Sequence, residues 1–155
     1  MGVYFDYFRA ADDAQARATH EILGGPLTEG ASYDGVATKG IFPDPHLELL
    51  VAHVLGVPYE RGPRTTWGLW PPPDTPPPSD ETSLWLTDPS VERLAFRIRD
   101  VLAEVDPEQV TALAAAWAPD ISYPADEAAT AIAGLTALAR RARQDGQDLY
   151  CWSSL

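Results

Sequence analysis

The stretch "VYFDYF", residues 3–8, decides how the chain folds. Side chains alternate along a strand, so Val3, Phe5 and Tyr7 point one way and Tyr4, Asp6 and Phe8 the other. With aromatic residues on both faces, it reads as an interior strand covered on both sides. The far end of the chain, "DLYCWSSL" (148–155), reads as a second strand. Strands at both chain ends predict an α+β fold: one small mixed sheet containing both, with about five helices packed against its faces.

Between those ends the spacing predicts helices. Asp12 or Asp13 caps a first one, whose apolar positions Ala14, Ala18, Ile22 and Leu23 share a face before Gly24-Gly25 ends it. Residues 26–43 read as loop with a short strand in "YDGVATKGI". Asp44 and Pro45 then open a helix to Gly56, with Leu47, Leu50, Val51 and Val54 inward. "SLWL" (83–86) suggests a strand. Thr87 or Asp88 caps a helix in which Val91, Leu94, Ile98, Val101, Leu102 and Val105 keep a 3.6-residue period. A capping box from Asp106 to Gln109 starts a helix that carries Val110, Leu113, Ala114 and Trp117 and stops before Pro119. A last helix, about 125–145, sets Ala128, Ile132, Leu135, Leu138 and Ala142 inside, with Arg140, Arg141 and Arg143 at its dipole-favoured end.

A chain of 155 residues has the length of one domain, 1–155. Its one plausible boundary is the proline-rich stretch 62–82, which contains "TWGLWPPPDTPPPSDE". Cutting there leaves pieces of roughly 62 and 72 residues, each marginal as an isolated core. The stretch therefore reads as an internal crossover loop, stiffened by its prolines and held down by Trp67, Trp70 and Trp85.

Twenty-three acidic residues face eleven basic ones, a net charge of −12, and the only lysine is Lys39. Such a surface repels phosphate backbones and anionic lipid, which argues against nucleic acid and membrane, and it steers a basic protein partner inward. The N-terminus lacks the pattern of a signal peptide, and Asp6 breaks the myristoylation motif, so a cytoplasmic location is expected. With Cys151 alone there is no disulfide framework and no multi-cysteine metal site.

Three segments carry a resemblance: "MGVYFDYFRA", "YDGVATKGI" and "ARRARQDGQDLYCWSSL". Together they resemble a family of uncharacterised small soluble bacterial proteins. The resemblance implies a compact α+β fold and brings no catalytic residues.

The residues themselves offer few candidates for chemistry. His46 and His53 lie on one helix about 10.5 Å apart at 1.5 Å rise per residue, too far to share one metal, and His20 sits on another helix. No metal or cofactor motif is legible: "GVATKG" lacks the spacing of a phosphate loop, and no serine sits in a nucleophile elbow. Cys151 would need a neighbouring histidine or helix N-terminus to act as a nucleophile. Asp6 interrupts an aromatic strand and, if buried, needs a cation or several donors; with Tyr4 and Arg9 it could line a pocket. Lys39 can pair with Asp34 or Asp6. Among the loop aromatics Tyr33, Tyr59, Trp67 and Trp70, the two tryptophans join Tyr4, Asp6, Arg9 and Lys39 as candidate binding residues.

Three function classes follow. The favoured one is a non-enzymatic protein-interaction module, an acidic inhibitor or immunity-type protein. The alternative is a small enzyme or small-ligand binder with a pocket near Asp6, Lys39 and His46. A third is an adaptor read through "PDTP" (73–76), whose flanks are acidic. The sequence is silent on oligomeric state.

Overall fold

The computed structural model describes residues 2–62, 64–76, 79 and 89–154. The first strand, β1 (Tyr4–Ala10), is interior as its two aromatic faces require. It lies between β2 (Gly35–Lys39) and β5 (Asp148–Ser154), and β4 (Ser90–Leu94) and β3 (Thr66–Trp70) complete the order β2-β1-β5-β4-β3. The two ends of the chain therefore pair directly, from Tyr4 opposite Ser154 to Ala10 opposite Asp148. The α+β class stands. All pairings among the described residues are antiparallel, however, where a mixed sheet was expected. Each connection between neighbouring strands leaves and re-enters at the same end of the sheet, which is the geometry of an antiparallel pair.

The two faces bury different layers. Phe5, Tyr7, Leu94, Leu149 and Cys151 face the main core, built from α2 (Glu48–Leu55), α3 (Phe96–Ala103), α4 (Val110–Ile121) and α5 (Ala125–Gln144). Phe8, Ala10, Val91, Tyr150 and Trp152 face the other side, where Ala16 of α1 (Asp13–Arg17) covers them with Leu27, Tyr33, Leu69 and Trp70. Chain crossings on this face are close. A Cβ at Gly35 would lie 2.3 Å from the Tyr7 carbonyl oxygen and 2.7 Å from Leu27, so only glycine fits there.

Four local expectations are corrected. The first helix is short: Asp12 caps Asp13–Arg17, and a 3₁₀ turn follows over Ala18–Glu21. It buries Ala16 and Thr19, small residues that let it sit low on the sheet, while Ala14 and Ala18 are exposed and Leu23 is 94% exposed. Residues 90–94 are a strand and not the start of a helix, because Val91 packs on one sheet face and Leu94 on the other. The helix begins only at Phe96. Before α2, Asp44 is extended (φ −121°, ψ 121°) inside an irregular turn over Pro43–Leu47, and the cap positions fall to Phe42 and Leu47 instead. Pro119 lies within α4, near enough to the C-terminus that the helix still ends at Ile121, with Ser122 in the left-handed cap.

Within the proline-rich stretch, Thr66–Trp70 is an edge strand, since Thr, Trp and Leu suit a half-buried pleat and no proline falls between Arg64 and Trp70. The expected strand at 83–86, its cap at Thr87 or Asp88, and Trp85 lie outside the described residues. Among the described residues, no helix is long and apolar enough to cross a membrane.

Candidate functional site

Tyr4, Asp6 and Lys39 share the second sheet face, because Tyr4 pairs with Lys39 and Asp6 with Ala37 across β1 and β2. This end of the face is open: Tyr4 is 53% exposed, and the Lys39 ammonium stands over its ring, 5.8 Å from the centroid. Asp6 sits at the margin between that open end and the layer covering Trp152. It is buried, and no hydrogen bond or ion pair reaches its carboxylate among the described residues. Burial pushes its pKa up to about 6. Lys39 pairs with neither Asp6 nor Asp34; its backbone is instead tied to the Tyr123 hydroxyl.

Arg9 points to the opposite face and belongs to an ion network. It donates to Asp34 at 2.7 Å, Asp145 at 2.5 Å and Gln147 at 2.8 Å. Arg141 grips the same Asp34 with two bonds, at 2.7 and 2.9 Å. That fork, with Arg9 beside it, holds the Asp34 carboxyl below its ordinary range. A carboxyl held low in the fold adds stability above the ordinary carboxylate pKa and loses it as pH falls through the depressed one. Asp34→Asn should therefore lower the urea midpoint at pH 7 and cost less at pH 3, a comparison made by chemical unfolding at both values.

The histidines do not converge. His46 accepts from the Phe42 N–H at 3.0 Å, and its ring meets the Gly40 backbone beside Lys39. His53 meets Asp120 at 2.9 Å, and His20 stacks on Trp70 with centroids 3.7 Å apart. Among the described residues, no group of three or more His, Cys, Asp or Glu could hold a metal ion. Cys151 is buried in the main core, where burial raises its thiol well above the usual range and keeps it protonated. Trp67 lies under the Arg93 guanidinium, 5.1 Å from its centroid. Both loop tryptophans thus pack on their own chain.

A groove that sequence reasoning did not single out lies along α2. Its floor is Val51 and Ala52, and Leu55, Val57 and Tyr59 rise around it, 56%, 52% and 38% exposed. Gly56, left-handed at φ 65°, ends α2 and turns the chain so that residues on both sides of it line one cavity of about 390 Å³. Glu48 and Arg97 of α3 close one end with an ion pair at 2.6 Å. A smaller cavity of about 80 Å³ adjoins, sharing Glu48, Tyr59 and Gly62 and adding Asp44, Arg61 and Arg64. Glu48 is buried, and burial outweighs Arg97, so its carboxyl stays above the ordinary range. The only sequence signal was Tyr59 among the loop aromatics. The groove can hold an apolar side chain and answer a charged group at its end.

The chain was compared with protein-family models, curated proteins and solved structures, and none of them matches it. The resemblance of the chain ends thus rests on those residues alone.

Proposed function

We propose that the protein is a non-enzymatic protein-interaction module, an acidic inhibitor or immunity-type protein, whose α2 groove receives a basic partner protein. The exposed Leu55, Val57 and Tyr59 around a cavity of about 390 Å³ carry this reading. Apolar and aromatic side chains left in water around a concave surface are the composition of an interface centre. The sign of the partner follows from charge. Arg9, Arg93, Arg97, Arg99, Arg141 and Arg143 are spent on carboxylates of the same chain, and Arg140 on the carbonyls of Ala103 and Val105. That leaves Asp12, Glu29, Glu60, Asp106, Glu108, Asp126 and Glu127 exposed without a basic partner among the described residues. Their field accelerates encounter with a positively charged surface.

The test is capture by the immobilised chain, compared with its Tyr59→Ala variant. A retained basic protein should bind the variant about tenfold more weakly, as for an aromatic interface anchor. Its association should also slow as salt shortens the reach of the charges. Retention that ignores both the substitution and salt would remove the proposal.

A further inference from the structure

Glu48 offers more than an ion pair. Its side chain is only 10% exposed, yet just one oxygen, Oε1, is bonded, to Arg97. The second oxygen has no hydrogen-bond partner among the described residues. Nor is it sealed off: the buried side-chain polar atoms without partners are Arg93 Nε, Thr136 Oγ1 and Trp152 Nε1. A carboxylate can accept several bonds, so an accessible oxygen without a partner is open to a further donor. Glu48 lines both cavities, which places its carboxylate at the end of the groove.

Resting on the interaction reading above, we propose that the groove takes the side chain of a single lysine or arginine of the partner. Its aliphatic stem lies on Val51 and Ala52 beside Tyr59, and its cation bonds the free oxygen of Glu48. Long basic side chains bury their stems against apolar surface while the charged head finds an acceptor, and an aromatic wall adds to the attraction. Charge in the larger cavity favours a cation: Glu48 and Glu60 line it against Arg97, which Glu48 already occupies. Arg61 and Arg64 line only the smaller cavity, where they balance Asp44 and Glu48 and leave no net negative charge to hold a second positive group. The site therefore selects one basic residue flanked by apolar or neutral ones, not a polybasic run.

Titrating the labelled full chain with n-butylguanidinium, and separately with the neutral isostere n-butylurea, isolates the charge. Butylguanidinium should shift the amide resonances of Val51, Ala52 and Tyr59 saturably, with a dissociation constant in the millimolar range expected of so small a ligand. Butylurea should bind at least about tenfold more weakly, because it lacks the charge-assisted bond. Glu48→Gln should reduce butylguanidinium to the level of butylurea. Equal binding of the two probes to the unmodified chain would overturn the proposal without any variant having to fold, as would the absence of saturable shifts. Either result leaves the interaction reading standing on its own test, the Tyr59→Ala comparison.

Discussion

Trp117→Ala is expected to destabilise the protein by about 4 kcal/mol, the middle of the range for removing a large aromatic from a packed core. The indole is fully buried in the main core. Its Nε1–H donates to the His46 carbonyl at 2.8 Å, in the irregular turn that leads into α2. Alanine removes the ring contacts, leaves a cavity too tightly walled to collapse, and strips a carbonyl of its partner. Trp117→Phe keeps most of the ring and loses the bond, and should cost about 2 kcal/mol. The two variants also separate packing from tethering. With the bond gone, the amides of α2 should exchange with solvent sooner than those of α5, whose buried Ile132, Leu135 and Leu138 remain covered. Urea unfolding measures the first effect and hydrogen exchange the second. A loss under about 1 kcal/mol in Trp117→Ala would mean that the site relaxes around the gap, and that Trp117 does not hold the turn before the groove.

The parts of the fold legible in the sequence are those where a local period meets burial. "VYFDYF" announces an interior strand because both of its faces need cover, and both faces receive it. The 125–145 helix is equally plain, since Ala128, Ile132, Leu135, Leu138 and Ala142 are all buried on one side. Strand β4 fails the same reading for a physical reason. Val91 and Leu94 stand three apart and mimic a helical face, but their environment is set by strands distant in sequence, with Val91 opposite Trp152 of β5. Glu92 lies beside Cys151 and is bonded by Thr66 Oγ1 at 3.1 Å, a partner that no local pattern reveals.

The candidate site was less legible still. Leu55, Val57 and Tyr59 flank a helix stop, and their exposure depends on what fails to cover them, which a sequence does not display. Glu48 and its partner Arg97 are 49 residues apart, and Asp34 meets arginines 25 and 107 residues away. Asp6 is the exception: an acid inside an aromatic strand is visible at once, and only its lack of a partner needed the fold.

That lack of a partner predicts that Asp6→Asn stabilises the protein at neutral pH. Burial holds the Asp6 pKa at about 6, while in the unfolded chain it returns to the usual value near 4. The folded state therefore binds its proton more tightly than the unfolded state. Stability contributed by this group falls as pH rises from about 4 to 6, and the whole penalty on the ionised form is present above that window. The asparagine variant carries no such penalty and nearly the same shape. Relative to the parent it should gain about 2 kcal/mol at pH 7.5, less than the full shift implies, because the amide must itself be satisfied at a half-open margin. At pH 4 the gain should nearly vanish, since the parent is then largely protonated in the fold. Urea unfolding of the pair at pH 4, 5.5 and 7.5 reads the difference directly and cancels the other carboxylates common to both chains. A gain that does not grow with pH would show that the folded chain does not hold Asp6 in a raised-pKa environment. The open face of Tyr4 and Lys39 would then shelter it less than its burial beside Trp152 indicates.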